Sequence, residues 1–275
     1  MQLIAFSKLF KEKSMDELVE MAQQYGLEGY DLCVRSEFPV NPDNVSEELP
    51  RAAKTMRDAG LDIPMITAEG SLLEPDDPTA EPILAAMDEA DVRLIKLGYF
   101  RLDPAEQDYW QEVARIRTLF EGWEKLGEKH NVKICYHTHS NRCMGLNCAS
   151  LMHLIQGFDP AHIGAYIDTG HMAVEGEEWA FGLAMVRDYL SIVALKDAIA
   201  LREEKNGHGA PKRVFPPAGQ GIVDWTAVFA ELVRMGFDGP LSVHCEFQVE
   251  EDEFVETLER EIEFFKTHLA KAAGK

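Results

Sequence analysis

Positive charge is scarce in this sequence. Lys and Arg number 27 against 48 Asp and Glu, a formal net charge of −21 with His neutral. Nucleic acid and anionic membrane surfaces both demand a basic face, so neither is an expected partner. Long apolar runs are also missing, and no stretch approaches the ~20 residues that span a bilayer. The opening MQLIAFSKLFKEK holds only the short apolar run LIAF before Ser and Lys, too little for a secretory core. A soluble, cytoplasmic chain is the expectation. Cysteines are five, an odd number; Cys143 and Cys148 are too far apart for a CxxC pair, and Cys135 and Cys245 sit inside apolar runs. That usage reads as reduced, buried thiols. The turn after the first apolar run, SKLFKEK, has no glycine and cannot be a dinucleotide fingerprint. No GxSxG, P-loop or HExxH occurs either.

What is present is a core and a rhythm. Hydrophobic residues make up 46% of the 275, enough for one α/β barrel or two modest domains. Short strand-like runs cover 3–7, 29–34, 62–68, 93–98, 132–139, 163–168, 192–197 and 240–247. Helical patterns separate them at roughly 15–25, 44–59, 79–90, 105–130, 149–157, 177–190 and 224–235, with a last one at 252–270. Eight βα units in series predict a single (βα)8 TIM barrel over residues 1–275. Segments before strands are short and those after strands are long, which places the functional loops at the C-terminal face. The longest, 198–223, lacks clear periodicity and is expected to lie over that face. Its Lys212 and Arg213 are candidate contacts for a phosphate or carboxylate, the rival being a solvated loop paired with Glu203 and Glu204.

Ionisable residues gather at the ends of the last four expected strands. In VKICYHTHS, period-2 alternation puts Cys135, His137 and His139 on one face. AYIDTGH ends the sixth strand with Asp168 and His171, VALKD the seventh with Lys196 and Asp197, and LSVHCEF carries His244 and Glu246. A lone strand histidine is ordinarily a hydrogen-bonded core residue. Burying this many ionisable groups together costs several kcal/mol unless they are paired or bound to a metal. His137, His244, Glu246 and Lys196 are therefore the candidate catalytic residues, and His139, His171, Lys212 and Arg213 the candidate substrate contacts. Imidazole and carboxylate suit a divalent ion such as Zn, Mn, Co or Mg, with His137, Asp168, His244 and Glu246 the candidate ligands. Such an ion would stabilise an enediolate while a neighbouring His or Glu moves the proton.

Taken in order, IDTGH, LKD, PPAGQGIVDW and GFDGPLSVHCEF resemble the xylose isomerase-like TIM barrel superfamily, the sugar phosphate isomerase/epimerase group. The resemblance runs over nearly the whole chain. It implies a metal held by Glu, Asp, His and Glu at successive strand ends. Of these, Asp168 matches; His137 and His244 stand where Glu is usual, and Ala194 where His is usual. The YHxH pattern of the fifth strand is similar to inosose dehydratase-type relatives. The expected function is an isomerase or epimerase of a sugar or other polyhydroxy carbonyl compound, working through an enediolate. A keto-polyol dehydratase and a non-catalytic sugar-binding barrel are the alternatives. A metal-free site using His137 and His244 for proton transfer is a further option. The expected partner is a small sugar or sugar derivative, with no nucleic acid and no membrane; a homo-oligomer is compatible with this reading.

Overall fold

In the computed structural model, which describes residues 1–247, 249–250 and 253–274, the alternating runs become parallel strands closed on themselves. The barrel strands are β1 (Gln2–Phe6), β2 (Gly29–Cys33), β3 (Asp62–Thr67), β4 (Leu94–Lys96), β5 (Lys133–His137), β6 (Ile163–Asp168), β7 (Leu190–Leu195) and β10 (Pro240–Val243). Each pairs in parallel with its neighbours, and β1 closes on β10 through Gln2–Pro240 to Ala5–Val243. The larger helices between them are α1 (Met15–Tyr25), α2 (Val45–Asp58), α3 (Ala80–Glu89), α4 (Tyr109–His130), α5 (Cys148–Ile155), α6 (Thr169–Val174), α7 (Trp179–Val186), α8 (Trp225–Met235) and α9 (Phe254–Ala272). Expected and observed elements agree closely in the first half. The expected start of the last helix, residue 252, lies outside the described residues.

Strand parity sorts the side chains. Ile134 and Tyr136 of β5 point outward, Tyr136 against Phe120 of α4, while Cys135 joins Ile4, Met65, Tyr166, Ile192 and Ala194 inside the barrel. A parallel strand is covered on both faces, so it reads as a nearly continuous apolar run and polar inward residues stand out. Gly29 holds φ 152°, and a Cβ there would collide with the backbone of Asp62. The β2–β3 pairing therefore needs glycine at this position.

The segment 198–223 is not structureless. It contains an antiparallel hairpin, β8 (Ile199–Lys205) and β9 (His208–Val214), paired from Ile199–Val214 to Lys205–His208. Asn206 and Gly207 turn it with φ 53° and 79°, the positive pair that a tight two-residue hairpin turn requires. Among the described residues, no helix is long and apolar enough to cross a membrane.

Candidate active site

The barrel floor carries a carboxylate that a β2 strand of alternating parity turns inward. Asp31 is fully buried, and its oxygens accept from Thr67 Oγ1 at 2.6 Å, Ser242 Oγ at 3.1 Å and Tyr166 OH at 3.2 Å. Burial pushes its carboxyl up to about 6, against the pull of those donors. Tyr166 OH also lies 2.7 Å from His244 Nε2. With the hydroxyl hydrogen given to Asp31, Nε2–H of His244 is the donor in that second bond. The His244 ring stacks on Phe6, centroids 4.5 Å apart.

Above this floor, three elements converge on one ammonium. Lys196 Nζ, just past β7, lies 3.2 Å from Asp168 Oδ2, 2.9 Å from Glu246 Oε2 and 3.1 Å from His171 Nε2. Burial pulls the ammonium down, but the Asp168 and Glu246 carboxylates outweigh it and hold Lys196 above its ordinary value. The same pairing overcomes burial at Asp168 and Glu246, and both carboxyls sit well below the usual range. Since an ammonium can only donate, His171 accepts at Nε2; its Nδ1 faces Ser140, with Oγ at 2.9 Å and the backbone N–H at a longer 3.4 Å.

The histidines of β5 have distinct surroundings. His137 Nδ1 lies 2.7 Å from Tyr99 OH, while its Nε2 is buried without a hydrogen bond, 3.6 Å from Asp168 Oδ2. An ionised Asp168 opposite Nε2 favours the Nε2–H tautomer, so Tyr99 donates to Nδ1. His139 Nδ1 donates to the Ser140 carbonyl at 2.8 Å, which leaves its Nε2 as a lone pair. Burial drives His137, His139, His171 and His244 each down to about 3, so all four are neutral near pH 7.

A second buried lysine lies across the cavity. Lys96 ends β4 with 3% of its surface exposed, its Nζ 3.8 Å from the Tyr99 ring centre. Burial, then the Arg35 guanidinium, brings its amine down from 10.5 to about 7. No carboxylate among the described residues forms an ion pair with it. Lys96, Arg35, Tyr99, His139, Lys196 and Glu246 share a cavity of about 120 Å³, walled also by Phe6, Thr67, Tyr166, His137 and His244.

Of the residues the sequence pointed to, His137, His139, Lys196, His244 and Glu246 line this cavity, and Asp168 and His171 back it. Lys212 is exposed on the hairpin. Arg213 binds Glu175 at 2.6 Å and Asn141 at 3.3 Å, so its charge is already paired. Neither lines the cavity. Just past the hairpin, Phe215 sets its ring 4.6 Å from Lys196 Nζ. Asp197, beside Lys196 in sequence, is a loop anchor. It accepts from the backbone of Gly219 at 2.8 Å, Gly221 at 3.0 Å and Val223 at 3.2 Å, and from the Trp225 indole at 3.2 Å. A Cβ at Gly221 would strike that carboxylate, which accounts for the glycine in AGQG. Lys96, Tyr99, Arg35, Tyr166 and Asp31 were not foreseen. The signal for Lys96 and Asp31 was there: each is a charge within an apolar strand, in LIKLG and GYDLC.

A family model described as xylose isomerase-like TIM barrel matches residues 19–268. This chain belongs to the xylose isomerase-like TIM barrel family. Inosose dehydratase of Lacticaseibacillus casei is 25% identical over 149 residues, 50% of this chain and 48% of that protein. Inosose dehydratase of Geobacillus thermodenitrificans (strain NG80-2) is 29% identical over 139 residues, 46% of each chain. The chain thus spans about half the length of the curated relatives it matches. Among solved structures, 3-keto-D-glucoside 4-epimerase from E. coli superposes with TM-score 0.73 at 14% identity, covering 97% of this chain and 99% of that one. The IOLI protein with a bound zinc atom gives 0.72 at 14% identity, covering 99% and 98%. At such identities the likeness is one of fold.

The zinc of that neighbour raises the question of a metal in this member of the xylose isomerase-like family. The four residues expected as ligands share a wall but make no cage. His244 Nε2 is committed to Tyr166 and lies 3.9 Å from Asp31, on the floor. Glu246 Oε2 accepts from Lys196 at 2.9 Å, and Asp168 Oδ2 lies 3.2 Å from the same ammonium; Asp168 Oδ2 and His137 Nε2, 3.6 Å apart, make no hydrogen bond, but they are two ligands and not three. Among the described residues, no three His, Cys, Asp or Glu side chains are grouped to hold an ion. The expected set His137, Asp168, His244 and Glu246 therefore does not fit a divalent metal. The physical reason is an ammonium already standing between the two carboxylates.

Proposed function

We propose that this chain acts on a small keto-polyol by removing the proton beside its carbonyl, and that loss of a β-hydroxyl follows. The reading rests on one observation above the others: the Lys96 amine lines the cavity with no carboxylate of the described residues paired to it. An amine held near 7 is a base at neutral pH, whereas an ordinary lysine is already protonated. Lys96 takes the α-proton. The Arg35 guanidinium is the donor available to the oxygen that gains negative charge, and the Lys196 ammonium, held by its own partners, adds positive charge beside it. Glu246 and the lone pair of His139 Nε2 accept from substrate hydroxyls. The ammonium formed on Lys96 then returns the proton to the departing hydroxyl, which leaves as water, and the electron pair of the broken C–H bond becomes the new double bond.

Dehydration stands ahead of epimerisation because epimerisation needs an acid–base group on each face of the reacting carbon. The two positions where the resemblance places Glu carry His137 and His244. Both are buried, neutral near pH 7 and bound to Tyr99 and Tyr166. The name of the curated relatives, inosose dehydratase, supports the same choice. The test is a screen of inososes and ketohexoses by NMR and by ultraviolet absorbance. An enone-type product that Lys96→Met fails to make supports the reading. An epimer as product removes the dehydration step, and no conversion of any of them counts against the whole proposal.

A further inference from the structure

We propose that Lys196 is the resident cation of this barrel, standing where a divalent metal would otherwise be held, so that the folded protein has no divalent metal site there. Three donors from separate places in the fold meet on its Nζ: Asp168 at the end of β6, Glu246 after β10, and His171 in α6. Two carboxylates and an imidazole lone pair are the donor set that would serve a divalent ion. Here Glu246 and His171 accept hydrogen bonds from the ammonium at 2.9 and 3.1 Å, and Asp168 Oδ2 pairs with it by charge at 3.2 Å without a hydrogen bond.

Charge balance points the same way. Glu246 also pairs with Lys8, so two ammonium groups face the two carboxylates and the cluster is neutral. A divalent ion would have to enter beside a buried ammonium or expel it from a position where the side chain is 5% exposed. The Phe215 ring, 4.6 Å from Nζ, covers a further side of the same cation. Ala194, two positions before Lys196, is a small residue of the inner wall and offers no ligand of its own. Lys196 is on this account a positioning residue. It fixes the spacing of Asp168, Glu246 and His171 without exchanging with solvent, as a bound ion does.

The test reads metal and not turnover, so its failure leaves the proton-transfer proposal standing. Full-length protein, dialysed against chelator, is titrated with Co2+ and followed by calorimetry and the visible spectrum. The parent is expected to show no one-to-one binding that Asp168→Asn abolishes. Lys196→Ser, which vacates the centre and leaves its donors, is expected to gain one equivalent of Co2+ with affinity at least tenfold tighter, lost again in Lys196→Ser/Asp168→Asn. Stoichiometric Co2+ uptake by the parent that depends on Asp168 overturns the proposal. So does a folded Lys196→Ser, judged by circular dichroism, that gains no binding. Should that variant fail to fold, the parent titration alone decides, because dependence of uptake on Asp168 is read without it.

Discussion

Replacing Lys96 by Met should make the protein more stable and less active at once. Lys96 is buried with no carboxylate of the described residues paired to it, and its amine falls from 10.5 to about 7. At ~1.36 kcal/mol per pH unit, that drop is a penalty of roughly 5 kcal/mol on the folded state below pH 7. The unfolded chain keeps this proton up to about 10.5 and the folded chain releases it near 7. Between those values the unfolded state binds more protons, so the penalty is relieved as pH rises. Met has a similar apolar stem and no charge to bury. Allowing for relaxation and for water in the cavity, Lys96→Met should gain about 2–5 kcal/mol at pH 7. The gain should shrink by about 1.4 kcal/mol for each pH unit between 7 and 10. Urea denaturation of parent and variant at pH 7, 8 and 9 measures this, since other groups titrate alike in both. A variant that is less stable at pH 7, or a difference that ignores pH, refutes the reasoning. A stabilising substitution that abolishes turnover is what a residue kept for chemistry predicts.

Two further outcomes follow from buried carboxyls. Asp197→Asn should cost about 2–4 kcal/mol, because an amide carries two hydrogens against the Gly219, Gly221, Val223 and Trp225 donors; a lower melting temperature with faster proteolysis within 215–224 would show it, and an unchanged melting temperature would not. Burial pushes the Glu261 carboxyl of α9 up to about 8, so the folded state holds a proton that the unfolded state has lost above about 4.5. Stability should fall as pH rises across that window, and Glu261→Gln should remove the slope and be more stable than the parent at pH 8, as denaturation midpoints at pH 5 and 8 would report.

The barrel was legible because its strands are covered on both faces. Runs such as Asp62–Thr67 and Ile163–Asp168 stand out from amphipathic helices with marked starts, as at Ser14, whose side chain accepts from Glu17 N in a capping box. The hairpin was not legible. Its strands are exposed and charged, IALREEK and HGAPKRV, so no apolar alternation marks them, and only Asn206-Gly207 betrays the turn. For the site, parity within β5 correctly brought His137 and His139 to one wall. What each histidine does there was set by partners distant in sequence. Tyr99 takes the Nδ1 of His137, and Tyr166 and Asp31 hold His244 to the floor. Lys96 stood inside the expected run 93–98, but a lone lysine there carries no second polar residue at period 2 to mark it as a site, as His137 and His139 do in the fifth strand. Its importance lies in having no ion-pair partner among the described residues, which only packing reveals.

The central claim is that the Lys96 amine removes a proton beside a substrate carbonyl. Solvent deuterium incorporation at the α-carbon of an inosose, followed by NMR in D2O, tests it directly. It reads proton removal even when no net product forms. The account predicts exchange by the parent that rises as pH passes through about 7 and then levels, as an amine base at that value requires. It predicts no exchange above background with Lys96→Met. Equal exchange by parent and variant, or exchange that falls as pH rises through 7, would contradict it.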